Sequence, residues 1–148
     1  MRGAHLQVVL KRAYNEPLKG DGCRVLVDRL WPRGWKKTEA KIDVWLRDLA
    51  PSNELRKWFH AHRDHWEEFC RRYLRELRSP AAASSLDQLY QCLARSGRLT
   101  LVFASKDEEH NNAVVLKELI EGMKKPPTGT RPSAQRALRL RRNRRPSA

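Results

Sequence analysis

Cysteine is scarce in this chain, and the few cysteines present form no recognisable bridging or metal-binding pattern. Cys23, Cys70 and Cys92 are odd in number, lie far apart and include no C-x-x-C pair. A disulfide framework or a zinc knuckle would need closely or regularly spaced cysteines, so the sequence argues against both. We therefore expect a protein whose thiols stay reduced, as they do in the cytoplasm.

Long apolar segments are also missing. The longest apolar stretches, such as residues 99–104, are far shorter than the roughly 20 residues that a membrane-spanning helix needs. The first residues likewise lack the apolar stretch of a secretory signal. From these absences we expect a cytoplasmic protein with no membrane partner.

Acidic residues are confined to the middle of the chain, between Glu16 and Glu121, although Lys and Arg together number 31. The segment 124–148 holds nine of those bases, no acid and four of the eight prolines. Low apolar content, proline and self-repelling charge predict disorder in such a segment. We predict an α/β domain over residues 1–125 and a disordered, Arg-rich tail over residues 126–148.

The basic tail suggests a nucleic-acid arm, because clustered arginines gain affinity by releasing the counterions of phosphates. The residues predicted to bind nucleic acid non-specifically are Arg139, Arg141, Arg142, Arg144 and Arg145. The alternative is a solvated extension without a specific partner, since no aromatic residue is interleaved with this charge.

The rest of the chain has enough apolar material for a core, with 40% hydrophobic residues and five tryptophans. Strand-like segments at 6–10 and 23–28 are followed by helical patterns that begin near Ser52, Asp64 and Ser85. The nearly all-apolar run 99–104 is typical of a central parallel strand covered on both faces. Residues 42–46 fit a short strand or a helical turn. A last helix is predicted to begin in a capping box at Ser105.

This order of elements predicts the α/β class. We expect a single small domain in which a three- to four-stranded, mostly parallel sheet packs with four helices.

Polar side chains follow two of the predicted strands, in the segments 28–35 and 105–111. Small α/β sheets bind ligands at the carboxyl ends of their strands, where loops lead into helix N-termini. Arginine side chains and the free N–H groups of a helix start suit a phosphate or a carboxylate. The predicted ligand-binding residues are Asp28, Arg29, Trp31, Arg33, Lys106 and Asn111.

An acid and an imidazole beside such an anion site would suit general acid–base chemistry, so Asp107 and His110 are the candidate catalytic residues. On a helix that begins at Ser105, Glu109 would lie in line with the buried stripe of Ala113, Leu116 and Ile120. Structural alternatives remain open. Arg29 and Arg33 could form salt bridges with Asp28 and Glu109, and Asp107 and Glu108 could simply complement a helix dipole. Four of the five tryptophans are expected in the core, with Trp31 as the one that lines a pocket.

The histidine run at His60, His62 and His65 looks like a metal site but lacks supporting cysteines and the H-E-x-x-H spacing. We therefore predict no metal site. The chain also has no P-loop, dinucleotide glycine fingerprint or nucleophile elbow, and we predict no cofactor.

Several blocks of the sequence resemble the YeaO-like proteins, a family known as domain of unknown function 488. The resemblance spans about residues 6–122, and its most specific blocks lie at 28–34, 50–52 and 107–111. It implies a small cytoplasmic α/β domain without an established activity, although some members are labelled as regulators. One departure is His62-Arg63, where relatives typically have Asp-Pro.

Two functional hypotheses follow from the sequence. The first is a binding protein or enzyme for an anionic small molecule, with its site at 28–35 and 105–111. The alternative is a nucleic-acid-associated or regulatory protein that acts through its basic tail. A protein–protein module is a third interpretation that the sequence leaves open.

Overall fold

The order of strands and helices along the chain builds a parallel sheet. A computed structural model describes residues 6–122. The four strands are β1 (Gln7–Arg12), β2 (Cys23–Leu26), β3 (Val44–Trp45) and β4 (Arg98–Phe103). The five α-helices are α1 (Lys37–Ala40), α2 (Asn53–Ala61), α3 (Trp66–Glu76), α4 (Pro80–Ser96) and α5 (Asn112–Gly122). Two 3-10 turns lie at Lys19–Asp21 and Arg47–Leu49.

The four strands form one sheet in the order β1-β4-β2-β3, and all neighbouring strands are parallel. Strand β4 lies between β1 and β2, with Leu101 opposite both Leu10 and Val25. This confirms the predicted α/β class and the central position of the apolar run near residue 100. Because the strands are parallel, the segments that follow β1, β2 and β4 leave the sheet at the same edge.

Alternate residues of the central strands pack into two different clusters. Val25, Leu99 and Leu101 belong to a large core that also contains the buried side chains of α2 to α5. Leu26 and Val102, on the other face, pack with Trp31, Trp35 and Trp45 in a smaller cluster. Both faces of the sheet are therefore covered, which explains why β4 reads as a continuous apolar run instead of an alternating one.

Of the four predicted helix starts, one is confirmed, one is two residues too early and two are wrong. Ser52 caps α2 as expected, since its Oγ accepts a hydrogen bond from the Leu55 N–H at 3.1 Å. Helix α4 begins at Pro80, not near Ser85, with Ser79 as its cap; proline suits the first helical position because its missing N–H needs no partner there. Helix α3 begins at Trp66, after the predicted capping box at Asp64.

The last helix also begins later than predicted, at Asn112 instead of Ser105. The Asp107 carboxylate accepts hydrogen bonds from the N–H groups of Glu109 and His110, both at 3.0 Å, and holds this segment in a turn. Glu109 is consequently exposed in a loop and does not continue the buried stripe of α5. Within the described residues there are five α-helices instead of the expected four, because of the short α1.

Among residues 6–122, no helix has the length and apolar character needed to cross a membrane. The predicted tail, with Arg139, Arg141, Arg142, Arg144 and Arg145, lies outside the described residues. Its disorder and the domain boundary near residue 125 stay predictions.

Candidate anion-binding cleft

A cleft of ≈ 980 Å³ opens at the edge of the sheet where β1, β2 and β4 end. Its walls come from the loops after β2 and β4, from α2 and from Tyr14, which follows β1. All eight site residues predicted for the domain line this cleft: Asp28, Arg29, Trp31, Arg33, Lys106, Asp107, His110 and Asn111. The parallel sheet thus brings together two segments that are far apart in the sequence.

Asp28 fastens the floor of the cleft. Its Oδ2 accepts a hydrogen bond from the Ala104 N–H at 2.9 Å, and its Oδ1 accepts one from Asn112 Nδ2 at 3.2 Å. Asn112 also donates to the Val27 carbonyl at 2.9 Å. Burial raises the pKa of Asp28, although both hydrogen bonds work in the opposite direction. Asp28 therefore ties the end of β2 to the end of β4 and to the start of α5.

Arg29 and Arg33 differ in their contacts. The Arg29 guanidinium donates to the carbonyls of Ala50 and Pro51, both at 3.2 Å, and so braces the segment before α2. Arg33 is exposed on the loop after β2. Within residues 6–122 neither arginine forms a salt bridge with Asp28 or Glu109, so that structural alternative is wrong.

Two arginines that were not predicted as site residues also line the cleft. Arg56 extends from α2, and Arg63 lies in the turn between α2 and α3. His60, between them, lines the cleft as well. These residues are three to four positions apart, a spacing that predicts one shared helix face. This spacing was the sequence signal that could have identified them as a group.

Asp107 joins the turn after α2 to the loop after β4. Its Oδ2 accepts a hydrogen bond from Arg63 Nη2 at 2.7 Å, and the same oxygen lies 3.6 Å from His110 Nδ1. Partial burial acts to raise the pKa of Asp107, but the hydrogen bonds from Arg63, Glu109 N–H and His110 N–H outweigh it and lower the pKa. The carboxylate is consequently charged and fully engaged at neutral pH.

The remaining residues of this loop are held by neighbouring groups. The imidazole of His110 packs edge-on against Trp66, with 4.9 Å between ring centroids. Asn111 is buried, and its amide donates to the Asp107 carbonyl at 2.8 Å while its Oδ1 accepts from the Val114 N–H at 3.1 Å. Both ends of this amide are thus used to shape the loop and to cap α5. Lys106 is exposed and lines the cleft.

Trp31 forms a fixed part of the wall. Its Nε1 donates to the Trp35 carbonyl at 2.7 Å, and its ring centroid lies 5.1 Å from that of Trp35 and 5.3 Å from that of Trp45. The neighbouring Tyr14 hydroxyl donates to the Arg33 carbonyl at 3.3 Å. Trp31 and Arg33 therefore lie on the same loop after β2, and the hydrogen bond from Tyr14 ties the segment after β1 to that loop.

Two members of the histidine run lie together, since the ring centroids of His62 and His65 are 5.7 Å apart. His62 stacks on Trp58 with 4.8 Å between centroids, whereas His60 lines the cleft. In the described part of the chain, no three His, Cys, Asp or Glu side chains are grouped closely enough to hold a metal ion.

These features define a small parallel α/β domain with a cation-lined cleft at the carboxyl ends of its strands. The chain belongs to the DUF488 family: residues 7–135 match the model described as the inactive DUF488-N3 subclade. This match extends beyond the predicted domain boundary into the basic tail.

Its relatives carry no assigned activity in their names. The chain is 38% identical to the uncharacterized protein Rv3073c of Mycobacterium tuberculosis over 118 residues, which is 78% of this chain and 95% of the relative. It is 36% identical to the uncharacterized protein YeaO of Escherichia coli over 118 residues, 80% of this chain and 100% of that protein. No solved structure matches the chain.

Proposed function

We propose that this protein binds an anionic small molecule, with a phosphate or carboxylate group, in the cleft. The observation that carries the proposal is the imbalance of charge on the walls. Five cationic side chains line the cleft, namely Arg29, Arg33, Arg56, Arg63 and Lys106. The two carboxylates beside them, Asp28 and Asp107, already accept hydrogen bonds on both of their oxygens.

Four of these cations fall into two groups with different roles in this proposal. Arg33 and Lys106 are exposed and make no side-chain ion pair within residues 6–122, so they are free to contact the anion. Guanidinium groups bind carboxylate or phosphate oxygens through two parallel hydrogen bonds. Arg29 and Arg63 are held by backbone carbonyls and by Asp107, and they add positive potential to the concave surface.

The same geometry favours binding over turnover. Asp107 and His110, the two candidates for proton transfer, lie together, but the lowered pKa of Asp107 makes it a weak base, and its oxygens are occupied. The description of the matched subclade as inactive agrees with this interpretation. In the proposed function both residues shape the wall of a binding site.

A thermal-shift screen of the full-length protein against phosphate, phosphorylated sugars and small carboxylates tests the proposal. A ligand at a hundred times its Kd adds about 2.7 kcal/mol, which raises the Tm by several degrees in a domain of this size. We expect the double variant Arg33→Ala/Lys106→Ala to lose this shift.

Lys19→Ala is the matched control, because Lys19 is an exposed cation in the turn that precedes β2, at the opposite edge of the sheet. It should keep the full shift. A ligand that stabilises the double variant as strongly as the wild type would place its binding site elsewhere and refute the proposal.

A second candidate function, non-specific binding of nucleic acid, is favoured by the composition of segment 124–148, with nine bases and no acid. Changing Arg139, Arg141, Arg142, Arg144 and Arg145 to Gln in the full-length protein should abolish such binding. In the wild type, affinity should fall by about a thousandfold between 50 and 200 mM salt if roughly six phosphates are contacted. Salt-insensitive binding would contradict it.

A further inference from the structure

The cleft is much larger than a phosphate or a small carboxylate requires. Its volume of ≈ 980 Å³ lies at the upper end of the range for sites that enclose whole small molecules, about 300–1,000 Å³. A ligand that was only an anion would contact the cations and leave most of this concave surface empty. The volume therefore points to a ligand with a second part.

The wall beside the cations is apolar and exposed. Three large hydrophobic side chains in residues 6–122 are strongly exposed, and two of them line the cleft: Tyr14, 52% exposed, and Leu30, 60% exposed. Trp31, which is half-buried, extends the same wall. Apolar side chains exposed together in a concave site favour an apolar ligand group, because such a group would remove them from water.

The aromatic rings of this wall are fixed before any ligand arrives. Trp31 is held by its hydrogen bond to the Trp35 carbonyl and by the packing of Trp35 and Trp45. Tyr14 is held through its hydroxyl to the Arg33 carbonyl, and the Arg12 guanidinium carbon lies 5.7 Å from its ring centroid. Rigid rings bind a flat ligand at a small cost in conformational entropy.

The hydrogen bond from Tyr14 also links the aromatic part of the wall to the loop that carries the cation Arg33. It joins the aromatic ring to the backbone of the residue whose guanidinium is free to hold an anion. The binding elements are thus an apolar surface formed by the segments after β1 and β2, with Arg33 on the loop after β2 and Lys106 on the loop after β4.

We infer that the ligand is a nucleoside phosphate, whose base packs against the wall of Tyr14, Leu30 and Trp31 and whose phosphate contacts Arg33 and Lys106. This inference rests on the proposed function and specifies its ligand. The same chemistry is offered by a free nucleotide and by a nucleotide within a single strand, where bases stack on aromatic side chains and cations track the backbone.

Isothermal titration of the full-length protein with AMP, GMP, CMP, UMP and ribose 5-phosphate tests the inference. We expect at least one nucleotide to bind about tenfold or more tightly than ribose 5-phosphate, the value that corresponds to loss of one base-stacking contact. Tyr14→Ser should remove most of this preference, so that nucleotides and ribose 5-phosphate bind with similar affinities. Tyr14→Phe keeps the ring and loses the hydrogen bond to the Arg33 carbonyl, and it should retain clearly more of the preference than Tyr14→Ser.

Variants at Tyr14 are preferred because this side chain is half exposed, whereas Trp31 packs against two other tryptophans. Titration with a five-nucleotide single strand distinguishes the two sources. It uses the full-length variant in which Arg139, Arg141, Arg142, Arg144 and Arg145 are changed to Gln, so that the basic tail does not bind the strand. Tighter binding of the strand than of any mononucleotide identifies nucleic acid, and equal or weaker binding identifies the free nucleotide.

The outcomes separate this inference from the proposed function. If ribose 5-phosphate or a small carboxylate binds and no nucleotide binds more tightly, the base-binding wall is refuted and the anion site stands. If no anion of either kind binds, both are refuted. An unchanged nucleotide preference in Tyr14→Ser would also overturn the assignment of this wall.

Discussion

At the scale of single residues, Gly22 shows how closely the start of β2 approaches β4. Its φ of 68° lies in the left-handed region, and a Cβ built on it would lie 2.4 Å from the Arg98 carbonyl oxygen. That oxygen belongs to the backbone of the central strand, so it cannot move aside without disturbing the sheet. Gly20, two residues earlier, has open space around the same position.

We therefore predict that Gly22→Ala destabilises the protein by about 2 kcal/mol or more, since a strained φ alone costs about 1–3 kcal/mol. Gly20→Ala, the matched control, should be neutral or slightly stabilising. Urea denaturation of the three proteins measures both effects. Equal stabilities of the two variants would show that the start of β2 adjusts freely.

The residues of the cleft also show what could be predicted one residue at a time. Asp28, Arg33 and Lys106 were predictable because they lie in the loops that follow apolar strands, and a parallel sheet brings such loops to one edge. Arg56 and Arg63 belong to α2 and to the turn after it. Their spacing predicts a shared helix face, but whether that face meets the cleft depends on how α2 packs against the sheet, which the spacing does not specify.

At the scale of elements, the start of α5 was mispredicted because the Asp107 side chain competes with the helix. A capping box and a turn closed by an aspartate use the same residue types, and the choice depends on which N–H groups the carboxylate reaches. Here Asp107 is also drawn to Arg63, 44 residues earlier in the chain, by a 2.7 Å hydrogen bond. The local sequence permits either a helix start at Ser105 or a turn closed by Asp107, and the tertiary contact with Arg63 favours the turn.

Strand β4, by contrast, was predictable because burial on both faces leaves a clear apolar signature. Helix α4 was recognised by its apolar spacing but placed too late, since Ser79-Pro80 can end one helix and begin the next. The fold class therefore followed from the sequence, while the exact starts of helices did not.

Helix α3 is fastened to the segment before α2 by a buried hydrogen bond from Tyr73 and by the Glu76 carboxylate, which accepts hydrogen bonds from the Ser52 N–H at 2.8 Å and the Ser52 hydroxyl at 2.6 Å. The Tyr73 hydroxyl donates to the Leu49 carbonyl, and both residues are fully buried. Burial is the main cause that raises the pKa of Tyr73 well above its ordinary value, so the hydroxyl keeps its proton and donates at all moderate pH values.

Tyr73→Phe removes this donor and leaves the Leu49 carbonyl buried without it. We expect a loss of about 1–3 kcal/mol in the free energy of unfolding, the usual cost of an unsatisfied buried group. Tyr14→Phe, in which the lost hydroxyl is exposed, should stay within about 0.5 kcal/mol of the wild type. Denaturant unfolding that gives equal losses for both variants would contradict the structural role of Tyr73.

At the scale of the whole molecule, the two ends of the sheet differ in how their charges are arranged. The carboxyl end carries the cleft, where exposed cations exceed the available acids. The 3-10 turn before β2 carries a closed network instead, in which Asp21 accepts hydrogen bonds from Lys11 at 2.9 Å and from Arg24 at 2.8 Å. Arg24 also donates to the Ala40 and Lys41 carbonyls and so holds the end of α1. The first arrangement suits a ligand, and the second stabilises the fold.

This network predicts how stability depends on pH. Burial acts to raise the pKa of Asp21, but the hydrogen bonds from Leu18 N–H, Lys11 and Arg24 outweigh it, and the pKa is lowered. The unfolded chain therefore binds this proton more readily than the folded protein. The stabilisation by Asp21 is fully present above the unfolded pKa of about 3.9 and is lost as the pH falls through the lower, folded value.

We expect Asp21→Asn to destabilise the protein by about 3 kcal/mol at pH 7, because it leaves the buried Arg24 without its counter-ion. The difference from the wild type should shrink as the pH falls below about 4, where Asp21 of the unfolded wild-type chain begins to gain its proton while the folded protein still resists it. Urea denaturation of both proteins at about pH 7 and about pH 3 measures this change. Asp64→Asn, an exposed control, should follow the wild type at both pH values. A difference that stays constant between the two pH values would show that Asp21 acts through its shape and not through its charge.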